Sequence, residues 1–334
     1  MPHALRRFLL LLLTSLLSAQ AFAAPQTLRL GTAAPYAFLA FANDDLQRAS
    51  LPVQRAVIVL HGVRRNADDY YQAGERLLRA AGLTANDTLL LAPNFLTVND
   101  RLATPDMPLW PKNLWMHGTE SRSGRAGIAG FSVLDDLLAY LSDRQHFPAL
   151  KDILVIGHSA GGQLLQRYTL LGAGDQGLDA RGINVRYLVS SPSSYLYLDA
   201  NRLRDGVFEP LASTECPDYN HYRYGLEQAP AYFTRQGLDA VQVFRRYAAR
   251  DVTYMVGQLD DKPDDPVMDH ACGAAVQGAT RLTRQLAYLR YEAFLAQQWQ
   301  TPVAHRQFQV QGVGHNAARL LVAKDVVTMA RAPH

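Results

Sequence analysis

Short apolar runs rich in leucine and β-branched residues return along the chain: "AVIVLHG" at 56–62, "TLLLAPNF" at 88–95, "DILVIGHS" at 152–159, "VRYLVSS" at 185–191, "VTYMVGQLD" at 252–260 and "HRQFQVQGVGH" at 305–315. Most are continuous instead of alternating, as strands buried on both faces are. Between them leucines and aromatics recur every three or four residues, in "FSVLDDLLAYLSDR" (131–144), "GGQLLQRYTLLGA" (161–173) and "RLTRQLAYLRYEAFLAQQ" (281–298), the spacing of one apolar helix stripe. Strand and helix in alternation predict an α/β fold with a mostly parallel central sheet covered by helices on both faces. With no internal repeat and no low-complexity linker, residues 24–334 read as one domain with insertions.

Two stretches break the alternation. Residues 96–130 are rich in Pro, Gly and Ser and hold Trp110 and Trp115; residues 193–250 carry ten Tyr and Phe. Both exceed ordinary connections, and long insertions in a compact domain are usually functional or disordered, an aromatic content like this one opposing disorder. The second reads as an aromatic-rich cap, and Trp110 and Trp115 are candidate substrate walls.

The first residues follow another pattern. Arg6 and Arg7 lead into "FLLLLLTSLL", and Ala21-Phe22-Ala23 has the small residues a signal peptidase accepts, so residues 1–23 read as an export signal and the mature chain as secreted or periplasmic. The apolar run is far below the roughly 20 residues a spanning helix needs, so no stable membrane anchor is expected. Against 33 basic and 30 acidic residues, loss of Arg6 and Arg7 leaves a nearly neutral chain without a basic block, which gives nucleic acid no electrostatic footing. Cys216 and Cys272 are the only cysteines, and in an oxidising compartment they are expected to pair.

Gly157-His158-Ser159-Ala160-Gly161 is a G-x-S-x-G box between an expected strand and an expected helix. That placement lifts a serine hydroxyl above the sheet on a sharp turn, while Gly157 and Gly161 clear side chains from its flanks. A serine needs a base, and in an open α/β sheet ligands lie beyond the carboxyl ends of the strands, so the base should follow a strand. His315 in "GVGHN" does so; His305 precedes the same strand, and His158, next to the serine, points away from it as a packing residue. The group that orients the imidazole is expected at Asp260, directly off the strand "VTYMVGQLD", with Asp261 as the nearest rival in an acidic loop that also holds Asp264, Asp265 and Asp269. For a developing oxyanion the N–H of Ala160 and that of Val63, after His61-Gly62, are the candidate donors, Gly62 letting the backbone come close. No metal is assigned.

His61-Gly62, "GHSAGG", "GQLD" and "GVGH", in this order, resemble the α/β-hydrolase superfamily over nearly all of the chain from Thr27 onward, and more narrowly secreted bacterial serine esterases and lipase-like hydrolases. The resemblance implies hydrolysis of a small-molecule or polymeric carboxylic ester through Ser159, His315 and Asp260, without a cofactor. His61-Gly62-Val63-Arg64 stands where the hormone-sensitive-lipase pattern has H-G-G-G. A peptidase or amidase, a polyester depolymerase, and a binding module on the same scaffold are the alternatives.

Overall fold

The computed structural model describes residues 24–212 and 214–332; the expected export signal at 1–23 lies outside them. Eight strands form one sheet: β1 (Pro25–Leu30), β2 (Tyr36–Ala42), β3 (Arg55–Leu60), β4 (Thr88–Pro93), β5 (Asp152–His158), β6 (Asn184–Ser190), β7 (Asp251–Gly257) and β8 (Arg306–Val310). Their order across the sheet is β1-β2-β4-β3-β5-β6-β7-β8. The first two strands pair antiparallel and β2 meets β4 antiparallel, while every pair from β4 to β8 is parallel.

The continuous apolar runs follow from burial on both faces. Along β3, Ala56, Ile58 and Leu60 face a layer made by α2 (Gly130–Leu141), α3 (Ala160–Leu171), α4 (Ala240–Ala248) and α5 (Arg281–Gln298). Val57 and Val59 face the opposite layer, made by α1 (Ala67–Ala81) and α6 (Lys324–Arg331). Local signals set the helix ends: Gly82 closes α1 in the left-handed conformation, and Asp239 and Thr280 open α4 and α5 with reciprocal capping boxes.

The two insertions pack inward. Trp110 and Trp115 are 1% and 0% exposed; Trp115 stacks on Phe95 with ring centroids 4.9 Å apart, and Trp110 tilts against the same ring at 5.4 Å. Both belong to the main core. Within 193–250, Tyr195 and Tyr197 lie against Tyr288 and Tyr291 of α5, and Phe208 stacks on Phe294. Cys216 of this segment is bonded to Cys272, with Cα atoms 5.9 Å apart. Among the described residues no helix is long and apolar enough to cross a membrane.

Candidate active site

The carboxyl ends of β3, β5, β7 and β8 meet at one place. Ser159 follows β5 at φ 58° and ψ −118°, a region L-residues avoid and one that costs on the order of 1–3 kcal/mol. The turn is this sharp because nothing intervenes: a Cβ on Gly157 would lie 2.3 Å from the Gly161 carbonyl oxygen, and one on Gly161 would lie 2.6 Å from that of Leu60. The Ser159 N–H donates to the Ser190 carbonyl at 3.0 Å, which ties the elbow to the end of β6.

Acid and imidazole arrive on two loops that dock on each other. The N–H groups of Gln258 and Leu259 donate to the carbonyls of Val310 and Val313, and a Cβ on Gly257 would stand 2.2 Å from the Val313 oxygen. The glycine of "GQLD" is therefore the seat on which "GVGH" rests. His315 Nε2 lies 3.0 Å from Ser159 Oγ, and His315 Nδ1 lies 2.8 Å from Asp260 Oδ2. With Asp260 ionised, Nδ1 carries the ring hydrogen, and Nε2 is left to accept the serine hydroxyl. Asp261 is exposed and has no bond to His315.

Burial pushes the Asp260 carboxyl up, but the hydrogen bond to His315 and the charges of His315 and Arg281 outweigh it, so its pKa is held below the usual carboxylate value. Arg281, 1% exposed at the start of α5, reaches Asp260 Oδ1 at 3.1 Å and Asp265 Oδ2 at 2.9 Å through one nitrogen. Nothing in its sequence neighbourhood marks it, because its partners lie 21 and 16 residues away. His158 is a buried packing residue whose Nδ1 lies 3.0 Å from Ser190 Oγ. Its ring lies 4.6 Å from that of His315, and burial, with the nearby charges of His315 and Arg281, keeps it neutral.

On the other side, His61 is fully buried and locks the turn after β3. Its Nε2 accepts the Phe95 N–H at 3.0 Å, so Nδ1 donates to the Gly62 carbonyl at 2.8 Å. Burial lowers its pKa to about 4, which keeps this pattern neutral and fixed. Gly62 passes close to the serine: a Cβ there would lie 3.6 Å from Ser159 Cβ and 2.7 Å from Tyr70 Oη. Neither the Val63 N–H nor the Ala160 N–H donates to another group among the described residues, and Ala160 begins α3, where helix N–H groups point outward.

A pocket of about 500 Å³ opens over Ser159 and His315, walled by the 62–66 turn, the first three turns of α1, Asp265, Val267 and residues 316–318. Two expectations are corrected here. Trp110 and Trp115 do not line it, because both rings are consumed in the core; Trp115 lies beneath His61 at 4.7 Å and so supports the turn from behind. The 193–250 segment contributes no wall either, since its aromatics are spent elsewhere: Tyr195 and Tyr197 on α5, Tyr232 on Phe131 and Asp135 of α2, and Tyr222 and Tyr224 on the His117 carbonyl and Asp269. The polar face of α1, through Asp69, Gln72 and Arg76, is the wall instead.

No protein-family model and no curated protein matches the chain by sequence. Solved structures do match it in shape. Poly(aspartic acid) hydrolase-1 from Sphingomonas sp. KT-1 superposes with a TM-score of 0.61 at 17% identity, over 92% of this chain and 98% of that one. A poly(3-hydroxybutyrate) depolymerase from Bordetella parapertussis gives 0.61 at 18% identity, over 92% and 94%. Together with the strand order, these matches show that the fold is that of the α/β-hydrolases.

Proposed function

We propose that this chain is an exported serine hydrolase that cleaves carboxylic esters. The observation that carries the reading is the unbroken path Ser159 Oγ to His315 Nε2 and His315 Nδ1 to Asp260 Oδ2, at 3.0 and 2.8 Å, below two uncommitted N–H groups. As Ser159 Oγ bonds to the ester carbonyl carbon, His315 takes its proton, and Asp260 stabilises the imidazolium. The carbonyl oxygen becomes an oxyanion between the Val63 and Ala160 N–H groups. Collapse breaks the bond to the alcohol, which leaves with the proton from His315; water then repeats the sequence on the acyl-enzyme and frees the acid. Gly62, Gly157 and Gly161 support the geometry. Export rests on the pattern of residues 1–23, with the Cys216–Cys272 bond as independent support.

The test is covalent labelling of the purified chain from residue 24 by a fluorophosphonate, with the modified peptide mapped by mass spectrometry. We expect label on Ser159, none in His315→Ala, and a loss of turnover on the order of 10⁶-fold in Ser159→Ala. Full ester turnover by Ser159→Ala overturns the reading. Turnover of matched 4-nitrophenyl butyrate and 4-nitroanilide butyramide separates esterase from amidase. A polymeric ester is a second reading, favoured by the likeness to the poly(3-hydroxybutyrate) depolymerase; release of soluble acid from a polyester film, against the soluble butyrate, decides it.

A further inference from the structure

The pocket wall holds two cations without partners. Arg64 directly follows Val63, and Arg76 stands on α1, two helical turns from Asp69 on the same face. Neither forms an ion pair or hydrogen bond among the described residues. Their neighbours differ: Arg65 is bonded to both oxygens of Asp100, at 2.9 and 3.0 Å, and Arg281 is shared between Asp260 and Asp265.

Two carboxylates also face the pocket. Asp265 shares the Arg281 guanidinium with Asp260, at 2.9 and 3.1 Å. Asp69 accepts a hydrogen bond from the Asn66 amide at 2.6 Å and has no cation of its own. Arg64 and Arg76 therefore face the pocket as two guanidinium groups with no carboxylate partner among the described residues, beside one carboxylate, Asp69, that pairs with no cation there. We propose, resting on the ester-hydrolase reading, that the substrate is an ester bearing a carboxylate, which Arg64 and Arg76 receive beside the scissile carbonyl. The planar fork of each guanidinium suits a carboxylate, which it can receive through two parallel hydrogen bonds. Because adjacent Cα atoms are about 3.8 Å apart, Arg64 lies next to the residue whose N–H faces the oxyanion, so the anion belongs a few atoms from the reacting carbon.

The experiment compares two esters of equal acyl length, neutral 4-nitrophenyl butyrate and anionic mono-4-nitrophenyl succinate, on the chain from residue 24. We expect kcat/KM to favour the anionic ester about tenfold at low salt, the preference to fall in 0.5 M NaCl, and the anionic-to-neutral ratio to drop about fivefold in Arg64→Gln and in Arg76→Gln. Equal turnover of the two esters by the native chain, or a ratio unmoved by both substitutions, overturns the proposal while ester hydrolysis itself stands. Failure of both esters rejects the hydrolase reading instead. Calorimetric binding to Ser159→Ala then decides the anion site: monoethyl succinate bound more tightly than ethyl butyrate, with the difference lost in Arg64→Gln, supports it, and equal binding overturns it.

Discussion

The residue that most changes the site beyond its three hydrogen-bonded members is Arg281. It fixes Oδ1 of Asp260, leaving Oδ2 for His315, and is itself almost wholly removed from water. Arg281→Met removes that cation from a buried carboxylate, which typically destabilises by about 3 kcal/mol. Asp260 and Asp265 both carry depressed pKa values, so their contribution to stability is present above the unfolded carboxyl value of about 3.9 and is lost as pH falls through the folded values. We expect urea unfolding of the native chain to show stability falling below about pH 4, and Arg281→Met to make that fall shallower, because the substitution raises the folded carboxyl values toward the unfolded one and narrows the gap between them. The acid limb of kcat should move to higher pH, since Asp260 would then protonate more easily. An unshifted limb would mean that Arg281 braces the fold without positioning the carboxylate.

Gly62 allows a second test at the same scale, because its cause is one atom. A methyl group at Gly62 would meet Tyr70 Oη at 2.7 Å, whereas the ring carbon behind that oxygen is 3.6 Å away. Gly62→Ala should therefore displace the Val63 N–H and lower kcat by about 100-fold, the usual effect of losing one oxyanion donor. Adding Tyr70→Phe should recover part of the loss, and steady-state kinetics of the pair would reveal that coupling. Strict additivity would place the defect elsewhere.

Among the elements, β3 to β8 and the helices α2, α3 and α5 were legible from local apolar pattern, as β4 and β5 show by being buried throughout in a sequence almost unbroken in its apolarity, whereas β1, β2, α1, α4 and α6 were not read from it. Ser159, Asp260 and His315 could be named in advance for a related reason, since each is the polar residue that ends or follows such a run. The destinations of the irregular segments were not legible. Trp110 and Trp115 sit among Pro, Gly and Ser, and only the position of Phe95 after β4, on which both rings pack, makes them core residues. Arg281 was hidden because a cation one residue inside a helix reads as solvated until its distant partners are known. The docking of "GQLD" on "GVGH" belongs to this scale as well. Gly257→Ala would set a methyl group 2.2 Å from the Val313 oxygen and push apart the loops that carry Asp260 and His315. We expect kcat to fall at least 100-fold with the thermal midpoint lowered only a few degrees, because the disturbance lies at the loop ends of an otherwise intact sheet. Differential scanning calorimetry beside a 4-nitrophenyl butyrate assay would separate this from general unfolding.

Across the whole molecule, the segment 193–250 holds the acid loop in place although it forms no wall of the pocket. Its Cys216 is bonded to Cys272, and Arg223 of the same segment pairs with Asp269 at 2.7 Å, so two ties grip the chain between Asp260 and α5. The covalent tie closes a loop of 56 residues, which in the chain-entropy account constrains the unfolded state by about 4 kcal/mol. The double variant Cys216→Ser/Cys272→Ser should accordingly unfold at lower urea concentration, with a loss of up to about 4 kcal/mol and a steeper dependence on urea, because the unfolded chain without the cross-link exposes more surface. The Arg223–Asp269 pair should still seat the loop in the folded state, so Ser159 labelling by a fluorophosphonate should persist at 25 °C and fail at a lower temperature than in the native chain. Loss of labelling in a sample that remains fully folded would make the disulfide the part that sets the geometry of Asp260, and would bind the activity of the site to an oxidising compartment through structure as well as stability.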